Sequence, residues 1–267
     1  MKFFPSRFSK KPLVSVIQLN GVIGGSGRMG SKGLNDADLA PVIEKAFRKG
    51  KPKAVALVIN SPGGSPVQSS LIAARIKRLS AETETPVYAF CEDVAASGGY
   101  WLACAADEIY VDQSSIIGSI GVIMASFGFT GLMEKQGIER RVHTAGKNKS
   151  FADPFRPETP ADVKKIKALQ TQIHDAFIDH VKTARGGKLA DLDLFTGDIW
   201  VGAKGVEVGL ADGIGHLVPM MKDRFGDNVR FAKHGVKRGL FSRFGGSLID
   251  SLIGSVEERA MWARYGL

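Results

Sequence analysis

Cysteine is nearly absent. The 267 residues contain two, Cys91 and Cys104, both in apolar runs and with no CxxC spacing or neighbouring ligand pattern. Two buried free thiols are expected, and neither a disulfide framework nor a metal site can underlie the fold. Long hydrophobic runs are missing too. Nothing approaches the roughly 18 apolar residues that a spanning helix needs. The opening MKFFPSRFSKKP is broken by Pro5 and its charges, so no signal peptide or transmembrane segment is legible and a cytoplasmic location is expected. Acidic residues are the minority, 27 against 36 basic, for a net charge of +9. The excess sits at the start (Lys2, Arg7, Lys10, Lys11) and late in the chain (Lys222 to Arg243). It would suit peripheral contact with an anionic surface such as the inner membrane. No recognition motif accompanies it, so nucleic acid is not an expected partner.

What remains is an ordinary globular mix, 44% hydrophobic and 24% charged, at a length that fits one large domain. Val14 to Ile23, Ala54 to Asn60 and Pro86 to Val94 read as buried strands. Helical spacing at Leu39, Val42, Ile43 and Phe47 and through Val67, Leu71, Ile72, Ile76 and Leu79 places helices between them. A short strand is expected at 108–112, then an apolar run over 114–126, a helix over 128–137 and a strand over Ile138 to His143. Thr159-Pro160-Ala161-Asp162 is a helix start with a capping threonine, proline at the first position and an acid in the first turn. That helix runs to Arg185-Gly186. Strand–helix alternation of this kind predicts an α/β fold with largely parallel strands. Beyond Leu217 the pattern loosens. Leu248, Ile249, Leu252, Ile253, Val256, Ala260 and Trp262 suggest an amphipathic C-terminal helix, which could dock in cis, on another subunit or on a membrane.

One stretch combines strand, turn and helix with a reactive hydroxyl: PVYAFCEDVAASGGYWLACAAD, residues 86–107. Ser97 sits between the third strand and a short apolar helix. It can be a helix cap or a nucleophile whose oxyanion would meet unpaired backbone N–H groups. Among its possible partners, His174 and His180 fall on polar sides of the Thr159 helix and read as solvated. His216 has no visible tie to Ser97. His143 could form a Ser–His pair. Lys147 and Lys149 lie in the loop TAGKNKSFADPF, and either could act as a base once its ammonium is desolvated. Ser119 is a lone hydroxyl in an apolar run and needs a partner. Gly63-Gly64 follows one strand as Gly98-Gly99 follows another, so the two turns could share one end of the sheet. The pattern Gly25-x-Gly27-x-x-Gly30 follows a strand but opens no helix, so a surface loop is expected there and no dinucleotide cofactor.

Taken in order, Asn60-Ser61-Pro62-Gly63-Gly64, Ala95-Ala96-Ser97-Gly98-Gly99-Tyr100, Gly118-Ser119-Ile120-Gly121-Val122, Gly146-Lys147-Asn148-Lys149 and Gly209-Leu210-Ala211-Asp212 resemble the signal peptide peptidase A family, the S49 serine peptidases. The resemblance covers roughly residues 14–217. It implies a ClpP/crotonase-like β-β-α superhelix: a basic segment over 1–13, one catalytic domain over 14–217, and a basic tail with a C-terminal helix over 218–267. It also implies a Ser–Lys dyad, with Ser97 as nucleophile, Lys149 as general base and Ser119 orienting the lysine. Gly64 and the N–H at Ser97 or Gly98 would form the oxyanion hole. The implied activity is endopeptidase cleavage of small or extended hydrophobic peptides, such as signal-peptide remnants, without cofactor or metal. The implied partner is a second copy of the chain, with the dyad completed between neighbouring subunits. Two other readings stay open at this point: a crotonase-type acyl-CoA enzyme, for which Glu92 and Asp93 are the nearby acids, and a non-catalytic oligomeric scaffold.

Overall fold

The computed structural model describes residues 11–24, 33–235 and 259–267. The chain begins with β1 (Leu13–Asn20), α1 (Asp36–Arg48), β2 (Ala54–Ser61), α2 (Pro66–Thr83), β3 (Val87–Ala96) and α3 (Gly98–Ala103). It continues through β4 (Glu108–Val111), β5 (Ile116–Gly118), α4 (Thr130–Lys135) and α5 (Pro160–Arg185). It closes with β6 (Ile199–Val201), α6 (Gly202–Glu207), β7 (Gly213–Ile214), α7 (Leu217–Phe225) and β8 (Arg230–His234). The strands form one sheet in the order β6-β5-β3-β2-β1-β8, with β4 and β7 branching from β3. All pairs are parallel except β5 with β6.

Strand periodicity sorts the core into two layers. Ile17 and Leu19 of β1, Val55, Leu57 and Ile59 of β2, and Val87 and Ala89 of β3 face one layer, under α1, α2 and α3. The alternate residues, Val14, Val16, Ala56, Val58, Tyr88 and Phe90, face the other, against Met221 of α7. Strands covered on both sides read as continuous apolar runs, and β2 does.

The third strand carries the feature that shapes the site. Ile59 pairs with Cys91 but Ser61 pairs with Ala95, so β3 holds two extra residues opposite β2. The insertion falls at Glu92 and Asp93, both exposed. Asn60 ties it down, its amide donating to Asp93 and accepting from the Val94 N–H. Two extra residues preserve which face each side chain occupies. They let β3 pair with β4 before the bulge and with β5 after it.

Two expectations need revision, and some fall on residues that are not described. Ile138 to His143 forms no strand but an exposed irregular stretch: Glu139, Arg140 and Arg141 interrupt its apolar pattern, and among the described residues no strand pairs with it. Residues 218–234, read from sequence as part of the tail, supply α7 and a strand, β8, that pairs in parallel with β1. The segments 1–10, 25–32 and 236–258, including the glycine-rich loop and Leu248 to Val256, lie outside the described residues.

The Gly209-Leu210-Ala211-Asp212 motif anchors α5 and α3 to the sheet. Arg185, at the end of α5 and almost fully buried, donates to the Gly209 carbonyl and to both carboxylate oxygens of Asp212. The Tyr100 hydroxyl donates to the Leu210 carbonyl. Burial raises the Asp212 carboxyl. Bonds from Arg185, Lys188 and the Ile109 N–H outweigh it and hold the group below its ordinary value. A carboxyl depressed on folding stabilises the fold above its unfolded value of about 3.9 and loses that contribution as pH falls through the folded one. Arg185→Ala strips the Asp212 carboxylate of its bidentate partner, leaving it Lys188 and the Ile109 N–H, and is expected to cost about 1.5–3 kcal/mol in urea unfolding at pH 7. The deficit should narrow on acidification below about pH 4, as pH falls toward the depressed value at which the folded Asp212 takes up its proton.

Candidate active site

Ser97 is the whole connection between β3 and α3. Its backbone stands at φ 51°, ψ −120°, a conformation that costs a non-glycine residue about 1–3 kcal/mol and persists only where neighbours over-determine it. Here they do. The Ser97 N–H donates to the Gly118 carbonyl at 2.8 Å, continuing the β3–β5 ladder, and its carbonyl accepts from the Trp101 N–H at 3.0 Å. The side chain makes no capping bond to α3. Of the two readings that sequence left open for this hydroxyl, capping is therefore not what the structure uses it for.

The Gly63 turn lies directly against this corner. A Cβ on Gly63 would stand 2.8 Å from the Ser97 Cβ and 2.8 Å from the Gly98 nitrogen, and its φ is +102°. Only glycine permits that approach. Ile23 holds the turn from the far side, donating to the Gly63 carbonyl and accepting from the Ser65 N–H, both at 2.8 Å. Among the described residues the N–H groups of Gly64 and Gly98 have no hydrogen-bond partner, whereas that of Ser97 is taken by Gly118. Of the two donors weighed beside Gly64, Gly98 is the one left available.

Ser119 follows Gly118 and is likewise at positive φ, 51°. It is buried, with its N–H donating to the Asp198 carbonyl at 2.7 Å. Its hydroxyl meets that of Tyr265 at 3.5 Å. Tyr265 thus lies beside the site, while the greater part of the expected C-terminal helix, Leu248 to Val256, falls outside the described residues.

Two histidines behave differently from expectation. His174 and His180 are half-buried, and each Nε2 lies 3.0 Å from a backbone carbonyl, Ile120 for His174 and Trp101 for His180. The His180 ring also stacks on Trp101, as does Phe177. Burial pulls His180 below its ordinary value, which keeps the ring neutral near pH 7.

Lys147 and Lys149 are exposed. Among the described residues no hydrogen bond ties the Lys149 ammonium to Ser97 or Ser119. The loop that carries it belongs to a long projection: none of residues 121–161 is buried. Ile123, Phe127, Leu132 and Ile138 on it are each more than half exposed. The structure thus brings together Ser97, Ser119, Gly64 and Gly98 within one chain, and leaves Lys149 on a surface.

The model of the Peptidase family S49 matches residues 80–223, just over half of the chain and inclusive of Ser97, Ser119 and Lys149. The chain belongs to peptidase family S49. Among curated relatives, a Brucella melitensis protein named Na(+)/H(+) antiporter NhaA is 45% identical over the whole of this chain and 39% of its own length. An Enterococcus faecium protein provisionally named signal peptide peptidase SppA is 31% identical over 78% of this chain and 61% of its own. The chain therefore spans less than two thirds of the length of these relatives. A solved structure of the 1510-N membrane-bound stomatin-specific protease, a lysine-to-alanine variant in complex with a substrate peptide, superposes with a TM-score of 0.53. It is 15% identical, and the match covers 93% of this chain and 99% of that one. The shared architecture is the ClpP/crotonase-like α/β fold.

A groove of about 750 Å³ opens on the α7 face of this S49 chain, lined by Val58, Phe90, Glu92, Ile116, His216 and Leu267 among others. It borders the bulged part of β3 that leads to Ser97. Burial and the neighbouring Asp93 push the Glu92 carboxyl up, Lys233 opposing them. Cys91 lies in its floor, but burial raises that thiol to about 12, as it does Cys104. Neither thiol is a nucleophile at neutral pH. Among the described residues no helix is long and apolar enough to cross a membrane and no cluster of side chains could hold a metal ion.

Proposed function

We propose that this chain is a serine endopeptidase that cleaves extended hydrophobic peptides through an acyl-enzyme on Ser97, with Lys149 as general base. The observation that carries the reading is the Ser97 corner. A strained serine, not used as a cap, stands against a glycine turn, and two N–H groups there lack partners among the described residues. In the mechanism, neutral Lys149 takes the Ser97 proton as Oγ attacks the peptide carbonyl. The N–H groups of Gly64 and Gly98 receive the oxyanion. The lysine then returns the proton to the leaving amine and activates water for deacylation. Ser119 orients the lysine.

Because Lys149 is exposed in one chain, the dyad is completed by a neighbouring copy. The exposed apolar residues of 121–158 supply the contact surface, since a patch of that extent on a soluble chain marks an interface. In a heterologous ring each subunit lends its projection to the next. Contact with the interface desolvates the ammonium and favours its neutral form. The basic segments keep the assembly near anionic lipid, where apolar peptide remnants accumulate.

The test is turnover of a panel of fluorogenic apolar peptides. Ser97→Ala and Lys149→Ala are expected to lose activity by about three orders of magnitude or more, and Lys147→Ala to keep it. Near-parent turnover in Ser97→Ala or Lys149→Ala would refute the assignment.

A further inference from the structure

Strain at Ser97 and at Ser119 has to be held by something outside their own turns. The two residues share the left-handed φ of 51°, which L side chains adopt only under constraint. Their segments touch each other through the Ser97 N–H and the Gly118 carbonyl. Each segment also presents one carbonyl to α5. In α3 the final turn tightens, the Ala105 N–H donating to Leu102 rather than to Trp101, so the Trp101 carbonyl has no partner within the helix. His180 Nε2 fills that vacancy at 3.0 Å. In the Ser119 turn, the Gly121 N–H folds back to the Ser119 carbonyl. The Ile120 carbonyl, on a fully buried residue, meets His174 Nε2 at 3.0 Å. A carbonyl only accepts, so both rings carry their proton on Nε2. The two histidines are six residues apart on one rigid helix, a rise of about 9 Å. Arg185, farther along the same helix, fixes its end to Asp212.

We infer that His174 and His180 are positioning residues of the peptidase site. Through the Ile120 and Trp101 carbonyls they clamp the Ser119 turn and the Ser97 helix to α5 and keep the two hydroxyls in register. Neither histidine is the base. The inference rests on the reading of Ser97 as nucleophile. His174 is the cleaner probe, because His180 also packs on Trp101 and its loss would remove stacking as well as a hydrogen bond.

The experiment measures kcat and KM on an apolar fluorogenic peptide, together with the rate at which a fluorophosphonate labels Ser97, for four variants. His174→Ala is expected to lower kcat and the labelling rate about tenfold, the scale of one lost hydrogen bond, with KM changed less than about twofold. His174→Gln, whose amide can donate to the same carbonyl, is expected to recover to within about threefold of the parent. His174→Asn, too short to reach it, serves if the alanine variant does not fold, and should be as slow. Parent-like kcat in the Ala or Asn variant, or a Gln variant as slow as Asn, would overturn the clamp. Turnover retained by Ser97→Ala would overturn the reading of the nucleophile on which it stands, and is seen separately from either.

Discussion

Two inactive variants mixed together regain activity. Subunits carrying Ser97→Ala keep Lys149, and subunits carrying Lys149→Ala keep Ser97. If each site takes its serine from one chain and its lysine from the next, random mixing rebuilds about a quarter of the sites in a heterologous ring. Each variant alone stays down by about three orders of magnitude or more, so recovery to even a tenth of parent turnover is a large signal. The physical basis is the location of Lys149 on a projection without a buried residue from 121 to 161. Among the described residues nothing buries that ammonium in the single chain. A dyad formed within one chain predicts the opposite result, no recovery at any mixing ratio.

The second large effect is expected from one methyl group. Gly63→Ala would put a Cβ 2.8 Å from both the Ser97 Cβ and the Gly98 nitrogen. Neither atom can give way easily, because the Ser97 N–H and carbonyl are both engaged. The methyl would push the hydroxyl away from the turn whose amides receive the oxyanion. Displacement of about 1 Å in a reacting group costs about a hundredfold in rate, and that is the expected loss in kcat. Gly21→Ala separates this from simple backbone strain. Gly21 has a comparable φ of +108°, but nothing stands within 4 Å of its missing Cβ. It should lower the urea midpoint and leave kcat within about twofold. Equal kcat losses in both variants would show that strain, not intrusion on Ser97, is responsible.

The parts of this molecule that sequence makes legible are those whose burial is two-sided or whose ends are chemically marked. Ala54 to Ile59 is apolar throughout because helices cover it on one face and α7 closes the other. The start of α5 is marked by a capping box between Thr159 and Asp162, with proline behind the cap. The corner Ala-Ser-Gly-Gly was visible as a strand-to-helix turn, but whether its serine caps the helix depends on a dihedral angle that no residue pattern reports. The bulge left a trace, two acidic residues inside an apolar strand, whose meaning emerges only beside Asn60. Ile138 to His143 misleads because two apolar residues around a charged run do not supply a partner strand. RFAKH, the edge strand β8, is hidden for the converse reason: it is buried at one end only and its composition is that of a loop. His174 and His180 were assigned to the polar side of α5. They lie on its flank, between core and solvent, where a helical wheel cannot tell a solvated ring from one that meets a carbonyl of a distant turn. The Tyr265 contact with Ser119 joins residues too far apart in sequence for any local signal.

The most direct measurement is mass-spectrometric location of a fluorophosphonate adduct on the whole protein, with the labelling rate compared between the parent and Lys149→Ala. The account predicts a single adduct on Ser97 that forms at least about a hundredfold more slowly without the lysine. An unlabelled Ser97, or one labelled at the parent rate in Lys149→Ala, would contradict it.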